Sequence, residues 1–92
     1  MEFKIANYNI RRSSGFKGFE INFEVDGKTF VFLLGKDSHP FPVGVKHQFR
    51  LKGNCPLCGK VIFPSPIGQQ PCTYFAYNKQ QDLMVYFAPF LP

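Results

Sequence analysis

The sequence predicts an all-β fold, a small five- or six-stranded barrel or curled antiparallel sheet with a metal-pinned loop. Three observations lead there. Apolar and polar residues alternate over residues 19–34 on either side of an Asp26-Gly27 pair. Short segments rich in Phe and Val recur between Gly, Pro and Asp, and none shows apolar residues at helical spacing. A Cys55-Pro56-Leu57-Cys58-Gly59-Lys60 stretch is followed by one more cysteine, Cys72, across a region of little periodicity.

Residues 19–34 read as a two-residue hairpin. With Asp26 and Gly27 as its turn, Val25 faces Lys28, Phe23 faces Phe30, Ile21 faces Phe32 and Phe19 faces Leu34, so turn chemistry and apolar pattern impose one register. The second arm also presents Thr29, Val31 and Leu33 on its reverse face, which is too apolar for an edge and places it centrally. Residues 3–10 form a first strand whose apolar phase slips between Ile5 and Tyr8, as a bulge requires. Arg11 to Gly15 then read as a loop. Residues 35–45, with two prolines and two glycines, form an irregular connection. A strand over 46–52 follows, and residues 53–72 make an excursion held by a metal rather than by a core. Residues 73–78 and 83–88 alternate again and, joined by Lys79-Gln80-Gln81-Asp82, read as a second hairpin. OB-like and SH3-like barrels both fit this string of strands.

The 92 residues make one domain, 1–92. A chain of this size buries only about two-thirds of its unfolded surface, so a structural metal adds stability that a small core lacks. Twelve Phe and four Tyr let few positions fill that core. Eleven Lys and Arg against six acids give a formal charge of +5, which favours nucleic acid or an acidic protein surface as partner. No charged-then-apolar leader and no membrane-length apolar run is visible, so no membrane partner is expected. Three cysteines, an odd number, argue against a secreted disulfide framework and for a cytoplasmic protein.

A Cys-x-x-Cys turn brings two sulfurs to one point, and a following Gly supplies the conformation that aims backbone amides at sulfur. Over its six residues this stretch resembles the knuckle of zinc-ribbon and treble-clef domains. The resemblance implies a zinc-binding turn and no family, because the second Cys-x-x-Cys of those domains is absent. Cys55, Cys58 and Cys72 are thus the candidate ligands of a structural zinc, with Cys72 brought alongside if strands 46–52 and 73–78 run antiparallel. The fourth ligand stays open between His39, His47, water and another chain. At about 3.3 Å per residue along a strand, His47 stands roughly 15 Å from the Cys turn. It shares the face of Val45, Phe49 and Leu51, where a hydrogen-bonded core histidine is expected; His39, in a Pro-broken loop, has more reach. Gly59 and the prolines at 64 and 66 oppose the helix that activates a redox Cys pair. No nucleophile, base and orienting group come together, so no enzyme is expected.

In strand 46–52, Lys46, Arg50 and Lys52 share an outward face, with Lys60 beyond them on the metal turn. Such cations suit a phosphate backbone, and Tyr74 and Tyr86 are candidates for stacking on bases. The leading expectation is a non-enzymatic module that binds single-stranded nucleic acid through these residues. The alternative is a protein-interaction or inhibitory module, phage-like in size and composition, that docks on a larger acidic protein. It is motivated by Phe41, Ile67, Phe90 and Leu91, which lie in Pro-rich segments outside the expected strands.

Overall fold

The computed structural model describes residues 4–64 and 70–91. A four-stranded antiparallel sheet in the order β1-β2-β3-β4 is its centre, formed by β1 (Tyr8–Arg12), β2 (Gly18–Val25), β3 (Lys28–Lys36) and β4 (Pro40–His47). The β2–β3 hairpin has the expected register, with Val25, Phe23, Ile21 and Phe19 opposite Lys28, Phe30, Phe32 and Leu34. Its turn residues both adopt left-handed backbone, Asp26 at φ 51° and Gly27 at φ 77°, as a two-residue hairpin matched to strand twist demands. A Cβ at Gly27 would meet nothing within 4 Å, so a side chain there costs only the conformation itself. Gly27→Ala is accordingly expected to lower stability by about 1 kcal/mol, read from the urea midpoint at unchanged slope.

Strand β3 is central, as its two apolar faces require: Phe30, Phe32 and Leu34 are buried on one side and Val31 on the other. Three boundaries differ from expectation. Residues 40–47 are a strand and not part of an irregular connection, because Pro40 and Pro42 are tolerated on an edge strand and a register shift opposite Leu33 and Leu34 absorbs the misfit. The strand expected over 46–52 ends instead at His47. Strand β1 runs through Arg11 and Arg12, while Ala6 N–H donates to Glu24 O and Glu24 N–H to Asn7 O upstream of it. Phe3 lies outside the described residues.

Residues 73–90 are helical rather than a second hairpin. A π-helical turn (Phe75–Lys79) leads into α1 (Gln80–Phe87) and a 3-10 turn (Ala88–Phe90). Phe75, Leu83 and Phe87 are fully buried and lie four or eight residues apart, which puts one helical face on the sheet. Each such side chain contributes about 1.5–3 kcal/mol of burial, enough to override the β-propensity of Tyr and Phe. Among the described residues the sheet does not close: β1 and β4 remain its edges, one face is covered by the helix, and the expected barrel is not formed. No helix there is long and apolar enough to cross a membrane.

Candidate metal centre

Within the 53–72 excursion a small hairpin, β5 (Gly53–Asn54) with β6 (Val61–Ile62), presents the Cys55–Cys58 turn at its tip. Cys55 N–H donates to Lys60 O at 2.9 Å and Gly59 N–H to Cys55 O at 3.0 Å, closing the turn, with Gly59 at φ 79°. The turn thereby aims the backbone N–H groups of Leu57 and Cys58 at Cys55 Sγ, each at 3.4 Å. Ile62 anchors the hairpin in the core and is fully buried.

The other ligands come from the sheet edge. Segment 70–72 runs antiparallel along β4: His47 N–H donates to Gln70 O, Cys72 N–H donates to Val45 O, and Lys46 bridges Pro71. Cys72 therefore reaches the turn as expected, although through this short pairing and the start of a helix rather than through a strand 73–78. The same pairing brings His47 in. Ligand atoms of His47, Cys55, Cys58 and Cys72 all lie within 4.8 Å of one another. His47 stands in the cluster and not 15 Å from it, because residues 48–52 turn back instead of extending. His39 is exposed in the β3–β4 turn, away from the site. What the sequence contained was a histidine on a buried face in a chain one ligand short of four.

The geometry suits a four-coordinate ion. Sulfurs at about 2.3 Å and a nitrogen at about 2.0 Å from a tetrahedral centre stand about 3.5–3.8 Å apart. Cys55 Sγ and Cys72 Sγ are 4.0 Å apart, and Cys58 Sγ is 3.5 Å from His47 Nε2. His47 Nδ1 donates to Gln70 O at 2.7 Å, which turns Nε2 toward the sulfurs, as metal-binding histidines require. The Cys72 S–H, donating to Cys55, holds the Cys55 thiol down at about 3 against the opposing effect of burial, with His47 and the two backbone amides assisting. Cys72 is correspondingly pushed up, by Cys55 and by burial. A metal binds thiolates, so its binding here would release the protons these sulfurs hold. The set is a convergent Cys3His group compatible with a metal ion.

The basic residues are dispersed more widely than a strand 46–52 would place them. Lys46 is half-buried on β4, while Arg50, Lys52 and Lys60 are exposed on the irregular segment and the hairpin. Lys52 Nζ stands 5.2 Å above the ring of Phe63, a residue outside the sequence expectation and 47% exposed. Tyr74 and Tyr86 are half-buried against the core, edge-on to Phe75 and Phe87. Of the apolar residues expected at the surface, Phe41 and Phe90 are exposed, Leu91 packs on the core, and Ile67 lies outside the described residues. No family model matches the chain, and comparison with curated proteins and with solved structures finds no match.

Proposed function

We propose that this chain is a non-enzymatic module, stabilised by a structural zinc, that binds single-stranded nucleic acid with the hairpin the metal holds. The observation that carries the reading is the convergence of one imidazole nitrogen and three sulfurs beneath that hairpin. Cys3His is a soft tetrahedral set that suits zinc, and four protein ligands leave no open position for a substrate, which favours a structural role. On the outer side of the hairpin, exposed Val61 and Phe63 lie beside Lys52 and Lys60. An exposed ring beside a cation, with a second cation on the same hairpin, is an arrangement that stacks a base while neutralising its phosphates. In this reading Arg50, Lys52 and Lys60 contact the backbone and Phe63 supplies the stacking surface first sought in Tyr74 and Tyr86.

Fluorescence anisotropy of a labelled single-stranded oligonucleotide tests it. Saturable binding that weakens steeply with salt is expected, and Lys52→Glu with Lys60→Glu should reduce affinity more than about ten-fold at low salt and flatten the salt dependence by about two contacts. Unchanged affinity in that double variant, with metal content intact, overturns the proposal. The protein-docking alternative draws on Val85 and Phe90, exposed on the C-terminal helical segment. Deleting residues 89–92 would then abolish a protein contact and leave oligonucleotide affinity as it was.

A further inference from the structure

The sheet has a second face. Opposite the side that carries buried Ile21, Phe23 and Val25, the alternating residues of β2 are Glu20, Asn22 and Glu24, and among the described residues no helix covers them. A groove of about 690 Å³ lies there, whose polar lining includes Asn7, Asn9, Asn22, Gln48, Glu24 and Arg50. Four carboxamides, a carboxylate and a guanidinium are an uncommon concentration of planar hydrogen-bonding groups. Asn7 Nδ2 donates to Glu24 Oε1 at 2.9 Å, but Asn22 Oδ1 is buried without a partner. That oxygen is closed off from the groove, and the charged acceptor the groove offers is the Glu24 carboxylate.

The chemistry of these groups selects a ligand. The Glu24 carboxylate only accepts, so the group complementary to it is an amino N–H₂; the carboxamide N–H groups beside it require an acceptor next to that amine. Cytosine, through its N4 amine and N3, and adenine, through its N6 amine and N1 or N7, present this donor–acceptor pair on one edge. Thymine places its O4 where the amine would be, against the carboxylate. Arg50 at the groove's edge also lines a second depression with Lys28 and Leu51, which leads toward β5, where Lys28 Nζ lies against Gly53. Arg50 and Lys28, with Glu24 lining both hollows, thus lie between the groove and the hairpin.

We infer that the groove on the uncovered sheet face binds an amino-bearing base, cytosine or adenine, of a single strand whose phosphates follow Arg50 and Lys28 toward Lys52. This rests on the nucleic-acid reading above and adds a base preference to it. Anisotropy with oligo(dC) and oligo(dT) of equal length, on the zinc-loaded full chain, compares two pyrimidines that differ at this position. Binding at least about five-fold tighter to oligo(dC) is expected, with the ratio between the two oligonucleotides lost in Glu24→Ala. As a guard against a folding defect in the variant, ¹⁵N-labelled wild-type protein is titrated with oligo(dC), and the side-chain amide signals of Asn22 and Gln48 are expected to shift. Equal affinity for both oligonucleotides, with shifts confined to the hairpin, overturns the groove assignment and leaves the partner class standing. Binding of neither overturns the nucleic-acid reading and this inference with it.

Discussion

Removing the metal should unfold the domain. Purified protein is expected to carry one equivalent of zinc, and a strong chelator should abolish its cooperative thermal transition rather than merely lower the midpoint. The magnitude follows from comparing two quantities: a structural zinc contributes about 10–16 kcal/mol in small domains, whereas a whole domain of this size is stable by about 5–10 kcal/mol. The three chain segments that meet at the site, the end of β4, the hairpin tip and the start of the helical segment, have no disulfide between them. Cys72→Ser should reproduce the effect of the chelator, since Cys72 is fully buried and joins the helical segment to the cluster. Its pH dependence has a defined sign. The metal must displace the proton that Cys72 retains, so zinc affinity falls as pH drops, and the thermal midpoint of the zinc-loaded protein should fall with it. A chelated protein that still melts cooperatively near the wild-type temperature would refute a structural metal.

What could be read from the sequence was what depends on local period and local chemistry. Phe19 to Leu34 fixes its own register, because alternation of period two and an Asp-Gly turn converge on one pairing. The three sulfur ligands were legible for the same reason: Cys55 and Cys58 are set by a six-residue turn. His47 was not, since its place depends on residues 48–52 turning back and on Gln70 pairing with its backbone, and neither has a local signal. The helix was hidden by a coincidence of periods. Leu83, Val85 and Phe87 alternate like a strand, yet only Leu83 and Phe87 are buried, with Val85 68% exposed, and the partner that continues the stripe is Phe75, eight residues upstream. Proline misled in the opposite direction at 40 and 42, where an edge position removes its penalty. The basic stripe fell with the strand it assumed: Lys46 is on β4, Arg50 and Lys52 are on the irregular segment, and Lys60 is on the hairpin that carries Cys55 and Cys58.

Phe30 links sheet core and metal site, so its truncation should damage both. Its ring is stacked on Phe23 at 5.5 Å, meets Phe49 and Phe75 edge-on at 5.9 and 5.8 Å, and lies 5.5 Å from the imidazole of His47. Opposite it in register stand Phe23 on one side and His47 on the other. Phe30→Ala therefore opens a cavity beneath the histidine ligand, with an expected loss of about 3–5 kcal/mol in the zinc-loaded protein by urea denaturation. Two rings, Phe30 and Phe49, also flank the imidazole and hold its plane, Phe49 edge-on at 5.4 Å. Loss of that support should lower zinc affinity, about ten-fold or more, as removal of outer-shell partners does elsewhere. Phe30→Leu separates the two effects: it retains most of the volume and should recover most of the stability, while the plane of the imidazole stays less well fixed. A Phe30→Ala protein with wild-type zinc affinity would mean that the Gln70 carbonyl alone orients His47, and that the aromatic cluster serves the fold without serving the site.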